Sequence, residues 1–196
     1  VLNPWNLDAL IQLEKESKNK VYTILQLRHH KSIIDLKRKI EKQAKNKFYQ
    51  IDLKYITSRG NWYFTSWKGD QKKSGGIATN IGIHFFDMLQ WIFGPMKDFT
   101  IDEKTNETNA GTLQLKNANV NWYLSINSDN LPSKVKAKGV TTFRNLTIGE
   151  EEIEFSKGFT DLHTISYSSI LNGEGYCLKD AINSLEIVTS IRNKKE

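Results

Sequence analysis

Among 196 residues there is one cysteine, Cys177, with three prolines and two methionines. A lone cysteine excludes a disulfide framework and any multi-cysteine zinc site, and it suits a reducing, cytoplasmic setting. No apolar run approaches the ~20 residues that a membrane-spanning helix needs, and no basic start leads into an apolar stretch. The sequence therefore predicts neither a membrane segment nor a secretory leader. It also lacks a G-x-G-x-x-G loop, a G-x-S-x-G nucleophile elbow, internal repeats and low-complexity stretches. His29 and His30 adjoin, and neighbouring side chains rarely converge on one ion, so no metal is expected.

What is present is a core. Hydrophobic residues make up 38% and aromatics 11% of the chain, which argues for a packed domain rather than disorder. The length suits one domain or slightly more. The net charge of +6 is local: residues 1–47 hold 11 of the 28 basic and 5 of the 22 acidic side chains, and the remainder is neutral. Lys31, Lys37, Lys39, Lys42, Lys45 and Lys47 lie along a helical pattern, which reads as a solvated face rather than a nucleic-acid stripe. Lys134, Lys136 and Lys138 read as a solvated loop or edge strand.

Periodicity supplies the elements. Asn3-Pro4 opens a helix with Leu7, Leu10 and Ile11 on one face, and Val21–Leu25 is an apolar run of strand length, the kind buried in a parallel sheet. Ile33, Leu36, Ile40 and Ala44 mark an amphipathic helix, and Phe48–Thr57 alternates as a strand. A helix from about Asn80 to Phe93 stops at Gly94-Pro95. Leu113 to Leu115 and Val120 to Ile126 predict a hairpin, as do Phe143–Ile148 and Ile153–Phe155 across Gly149. Thr160-Asp161 caps a helix ending near Gly173, and Leu178, Ala181, Ile182, Leu185 and Val188 mark the last one. Clustered strands with helices at both ends predict an α+β fold, an open and largely antiparallel sheet with helices on one face. The other face, partly apolar and carrying Tyr123, predicts a homo-oligomer through the sheet.

Chemistry concentrates in one stretch. On a helix from Asn80, positions 80, 84, 87 and 91 share a face, bringing Asn80, His84, Asp87 and Trp91 into one stripe. His84 supplies a base near neutral pH, and Asp87 could fix its tautomer. Gly75-Gly76 allows close approach of backbone to a ligand. The same residues also read as a satisfied core histidine with packing around it.

The full pattern is more specific than its parts. Gly-Gly-x-x-x-Asn-x-Gly-x-His-x-x-Asp-x-x-x-Trp-x-x-Gly, residues 75–94, resembles the substrate-domain signature of the glucose–fructose oxidoreductase/inositol dehydrogenase family. Ser58-Arg-Gly-Asn-Trp-Tyr63, Ser66-Trp-Lys-Gly-Asp70, Gly158-Phe-Thr-Asp-Leu-His-Thr164 and Leu25-Gln-Leu-Arg-His-His30 are similar to the bacterial UDP-N-acetyl-glucosaminuronate 3-dehydrogenases of surface-polysaccharide synthesis. The resemblance implies an N-terminal Rossmann domain binding NAD or NADP, followed by an α+β domain with the substrate site. In those terms residues 1–27 are expected to be the tail of the dinucleotide domain and 28–196 the substrate and oligomerisation domain. The family's Glu-Lys-Pro motif, whose lysine aids catalysis, is expected just before Val1. By itself the chain is then expected to be inactive, with residues 1–27 displaced, swapped with a neighbour or poorly ordered.

The resemblance further implies a UDP-sugar substrate oxidised at a ring hydroxyl, C3 of UDP-N-acetyl-glucosaminuronate. His84 would be the base or relay and Asn80 a hydroxyl-binding group. Many relatives carry Asp at the Asn80 position, which places proton handling on His84. Arg28, Arg59 and Lys68 are candidates for the carboxylate or diphosphate, where Arg offers a bidentate fork. Trp62, Tyr63 and Trp67 are candidates for stacking on sugar or uracil, and Asp87, Asp161 and His163 for further contacts, Asp161 being equally a helix cap. Two alternatives stand beside this: a non-catalytic glycan- or nucleotide-binding or assembly module, and a free-sugar or inositol dehydrogenase of the same family.

Overall fold

A computed structural model describes residues 2–44, 47–153, 155 and 158–194. Pro4 pre-sets the backbone at the start of α1 (Pro4–Ser17), and Leu7 beneath it is 2% exposed. The expected displacement of residues 1–27 is not found. Contacts join α1 to the C-terminal helix, where Arg192 donates to the Leu2 carbonyl at 3.0 Å and to the Asn3 side chain. Nor does Val21–Leu25 form a strand. Tyr22 makes one antiparallel bridge to Cys177, and the Thr23 N–H donates to the Tyr176 carbonyl at 2.9 Å. Its apolar side chains line a recess with Leu7, Leu178 and Leu185, and of them only Leu25 is buried.

A 3₁₀ turn, Gln26–His29, leads into α2 (Lys31–Glu41), which buries Ile33 and Leu36, exposes Lys31 and Lys39 and half-buries Lys37. Lys45 lies outside the described residues. Strand β1 (Tyr49–Thr57) buries Tyr49, Ile51, Leu53 and Tyr55 and exposes Gln50, Asp52 and Lys54, the alternation of a strand with one covered face. After it come α3 (Trp62–Thr65), α4 (Gln71–Ser74), a π-helical turn (Ala78–Gly82) and α5 (Ile83–Phe93). Strands β2 (Met96–Lys104), β3 (Thr108–Leu115) and β4 (Ala118–Ser125) form a meander. The Lys134 segment is the short helix α6 (Ser133–Lys136), not an edge strand. Then follow β5 (Thr142–Ile148), β6 (Glu151–Ile153), α7 (Leu162–Leu171), a 3₁₀ turn (Leu178–Ala181) and α8 (Ile182–Asn193). Of the predicted 153–155 strand, Glu154 lies outside the described residues and Phe155 is buried.

The sheet order is β2-β3-β4-β1-β5-β6. Every pairing is antiparallel except β1 with β4, which run parallel from Tyr49↔Ala118 to Ile56↔Ser125. A parallel pair requires a crossover, and everything from α3 to β3 serves as one. Strand β2 escapes the period-two reading because its register shifts between Met96 and Asp98 and again between Ile101 and Glu103, so its apolar residues do not alternate. Gly111 in β3 permits the approach of β2: a Cβ there would sit 2.2 Å from the Thr100 carbonyl oxygen.

Helix α5 lies along the covered face of β1. Tyr55 meets Phe85 with ring centroids 4.8 Å apart, and Tyr49 meets Phe93 at 5.5 Å, so the two run in opposite directions. Phe86 and Trp122, both within 2% of full burial, cross at right angles in the core between them. Burying such a side chain is worth about 1.5–3 kcal/mol. Helix α8 packs beside α5. On the opposite face Asp52, Lys54, Asn121 and Asn145 lie across neighbouring strands, with Tyr123 and Phe143 among them. The α+β architecture, with helices on one face, is as predicted.

Candidate functional site

The antiparallel course of α5 and β1 brings the first turn of the helix to the carboxyl end of the strand. Ligands of open α/β sheets commonly bind beyond strand carboxyl ends. The chain leaves β1 through Ser58 and Arg59, whose backbone N–H donates to the Ile126 carbonyl at 3.1 Å. This fixes Arg59 where the parallel pair β1 and β4 ends. Asp70 caps α4 by accepting from the Lys72 and Lys73 N–H groups. Gly75 then turns left-handed at φ 77°, its missing Cβ leaving room for Thr79. The turn delivers the chain to the π-helical segment that carries Asn80.

Asn80 is half-buried, and its Nδ2 donates to the Tyr63 hydroxyl at 3.1 Å. Tyr63 is 2% exposed, so its ring packs in the core and only its hydroxyl orients the amide. It is not a free stacking platform. Trp62 and Trp67 are half-exposed, at 50% and 56%, and the Lys68 ammonium lies 5.9 and 6.0 Å from their ring centroids. The Arg59 guanidinium stands 5.8 Å from the Trp62 ring. Arg59, Trp62, Trp67 and Lys68 thus form one cationic and aromatic surface beside Asn80.

His84 is half-buried at the start of α5 and lines the apolar recess, about 360 Å³, between α1, residues 21–25 and α8. Burial lowers its basicity, and the charge of His163 in the first turn of α7 lowers it further. Both effects keep the imidazole neutral around pH 7, the form that accepts a proton. His163 itself is exposed. Asp161 occupies the N-cap position of α7, but its side chain makes no capping hydrogen bond. The helix-cap explanation of Asp161 is therefore not what the structure contains.

The predicted stripe separates. The π turn absorbs an extra residue before α5, so Asn80 does not stand in straight 3.6-residue phase with His84, Asp87 and Trp91. Asp87 is 3% exposed and points into the protein. Its oxygens accept from Arg28 Nε at 2.9 Å and Arg28 Nη2 at 2.7 Å, with Ser184 Oγ at 3.3 Å. Arg28 also donates to the Asp180 carbonyl at 3.0 Å and stacks 4.8 Å from the Tyr176 ring centroid. Arg28 and Asp87, expected to meet substrate, meet each other instead, because each is the partner that lets the other be buried. Trp91 accepts Lys37 at its carbonyl, 2.9 Å, and under its ring, 4.8 Å.

Two groups result: Arg59, Trp62, Trp67 and Lys68 lie within cation–π range of one another, and His84 lines the recess beside α1 with the charge of His163 reaching it, while Arg28 and Asp87 are paired with each other. Arg144 on β5 is not among the residues that spacing singled out. It lies opposite Tyr55 in register, with its guanidinium 4.2 Å from the Phe159 ring centroid and 5.3 Å from that of Tyr55. Its neighbour Phe143 points to the open face, and Arg144 shares the phase of Leu146 and Ile148 on the helix side, a placement that a cation at that position conceals.

Chemically, this surface offers a neutral imidazole, an oriented amide, unengaged cations and flat apolar walls. That set suits a polyhydroxylated anion with a removable proton. Residues 37–138 match the model of the C-terminal alpha/beta domain of an oxidoreductase family. The WlbA (WbpB) dehydrogenase from Thermus thermophilus, solved with NAD and α-ketoglutarate, is 42% identical, with a TM-score of 0.95; the match covers 100% of this chain and 62% of that one. The same enzyme solved with NAD and UDP-GlcNAcA is 41% identical, with TM-score 0.94 and the same coverage. The WlbA dehydrogenase from Bordetella pertussis, solved with NADH and UDP-GlcNAcA, shares the fold at TM-score 0.75 and 16% identity, covering 97% of this chain and 65% of that one. The chain therefore spans less than two thirds of the length of each of these dehydrogenases.

Proposed function

The chain belongs to the glucose–fructose oxidoreductase/inositol dehydrogenase family, as its C-terminal alpha/beta domain, and we propose that the intact protein oxidises the C3 hydroxyl of UDP-N-acetyl-glucosaminuronate with NAD. What supports this reading is a half-buried His84 whose basicity burial lowers, four residues beyond an Asn80 oriented by Tyr63, in a chain 41% identical to a dehydrogenase solved with that sugar nucleotide. The product is a 3-keto sugar nucleotide, a step in surface-polysaccharide synthesis.

His84 takes the proton of the reacting hydroxyl as the carbon–hydrogen bond breaks. Asn80, held by Tyr63, binds that hydroxyl or its neighbour and fixes the ring, so that positioning supplies part of the rate. Arg59 and Lys68 take anionic oxygens, and Trp62 and Trp67 offer stacking faces to the base or sugar. NAD, when bound, supplies the hydride acceptor. Of this chain's residues, Leu10, Tyr22, Ile24 and Leu178, which line the recess shared with His84, would hold its apolar edge.

The test is to mix the full-length protein with NAD and UDP-GlcNAcA, follow reduced nicotinamide by absorbance and identify the keto sugar by mass spectrometry. A 2-keto acid is added in a parallel reaction as an electron acceptor, to expose turnover hidden by tightly held cofactor. The expected result is a 3-keto product dependent on NAD. Folded, NAD-binding protein that forms no product under either condition would overturn the assignment and leave the free-sugar dehydrogenase leading. We also infer that two copies meet across the open sheet face carrying Tyr123 and Phe143. Light scattering should give a multiple of the chain mass, and Tyr123→Lys should lower it; a monomeric wild type would refute this.

A further inference from the structure

The chain has five arginines, and three are engaged by protein acceptors. Arg28 is held by Asp87, Arg38 lies 3.6 Å from Asp35, and Arg192 donates to Leu2 and Asn3. Arg59 and Arg144 differ. Each has a buried Nε without a hydrogen-bond partner, and among the described residues neither makes an ion pair or side-chain hydrogen bond. A guanidinium has five donors and stays charged throughout the accessible pH range. Leaving a buried donor unsatisfied costs about 1–3 kcal/mol, more when it is charged, so an unfilled position of this kind marks where an acceptor arrives.

Arg144 packs on rings that belong to, or touch, the segments carrying His84 and His163. Its partner across the strand is Tyr55, whose ring touches Phe85, the residue after His84. Its other platform, Phe159, lies four residues before His163, the histidine whose charge reaches His84. The aromatic rings flatten and orient the guanidinium while offering it no acceptor, an arrangement that presents a pre-set fork to a planar or tetrahedral oxyanion.

We propose that Arg144 is an oxyanion-recognition residue of this site, taking the carboxylate or a phosphoryl group of the sugar nucleotide. This rests on the proposed function for its ligand, and it adds a residue whose effect is on binding and selectivity, with proton transfer left to His84.

The experiment compares wild type, Arg144→Met and Arg144→Lys in the full-length protein. Methionine keeps an apolar stem over Phe159, and lysine keeps the charge without the fork. Arg144→Met is expected to raise KM for UDP-GlcNAcA by about 10–100-fold with kcat within threefold, the pattern of lost uniform binding, and Arg144→Lys to recover only part. With UDP-GlcNAc, which lacks the carboxylate, binding unaffected by the substitution assigns Arg144 to the carboxylate; an equal loss with that sugar and with UDP alone assigns it to the diphosphate. Unchanged KM for both sugars, or a fall in melting temperature with KM unchanged, overturns the proposal. Should wild type bind but not oxidise the sugar nucleotide, calorimetry with UDP-GlcNAcA still decides: weaker binding by Arg144→Met supports the oxyanion role although the reaction assignment has failed, and equal binding refutes it.

Discussion

His84→Ala in the full-length protein is expected to lower kcat by about 10²–10⁴-fold, the usual contribution of a positioned general base, while KM for the sugar nucleotide moves little. The imidazole accepts the hydroxyl proton and makes no charged contact to the ground-state ligand, so its loss is felt mainly in the transition state. The pH profile should carry the same signature. Burial and the nearby His163 depress the His84 pKa below its ordinary value of 6.5, so the base form survives mild acidification. The acid limb of kcat/KM should then fall below pH 6.5, and His163→Gln should move it upward towards that value. The same shift links to stability. Between the folded-state pKa and 6.5 the unfolded chain binds the proton and the folded chain does not, so stability rises with pH through that window and is lost as pH falls through it. Retention of more than a tenth of the activity by a folded His84→Ala protein would remove His84 from the role.

Much of this was legible in the residues alone, and the failures have physical causes. Strand β1 and helix α5 announce themselves because each has one face buried and one exposed or packed, so their periods survive in the sequence. Strand β2 does not, because two register shifts break its alternation. Val21–Leu25 misleads in the other direction: an apolar run of strand length predicts a buried strand, and here only Leu25 is buried, Val21 is exposed, and the segment lines a recess beside α1 with one bridge of backbone pairing. At the site, Asn80 and His84 are legible from the motif. The fate of Asp87 is not, because a carboxylate three residues from a histidine looks the same whether it serves the histidine or neutralises an arginine 59 positions away. Arg144 is hidden by its neighbours. Phe143, Leu146 and Ile148 do not share one phase, and the residue facing the helices near the open end of the sheet is a cation.

Asp87→Ala should be the most destabilising single change at the site, by about 3–5 kcal/mol, because it leaves the Arg28 charge buried without its partner. For a chain of this size that corresponds to a fall in melting temperature of roughly 6–20 °C. The side chains are 8% and 4% exposed, and the bonds run from the 3₁₀ turn at Arg28 to α5, with Ser184 of α8 closing the group. Burial pushes the Asp87 carboxyl up from its ordinary value against the downward pull of the Arg28 hydrogen bonds and charge, so desolvation outweighs the pairing energy. The pair is therefore expensive to break and of little net value when intact. The double substitution Arg28→Met with Asp87→Leu should accordingly recover most of the stability lost in Asp87→Ala, giving a large coupling energy in the four-protein cycle. Its consequence for catalysis separates the two roles of the pair. Asp87 stands one helical turn beyond His84, so a loosened α5 lowers kcat by misplacing the imidazole and leaves sugar-nucleotide affinity within a few-fold. Direct contact with substrate predicts the reverse: Asp87→Ala would melt within a degree or two of wild type and show a raised KM.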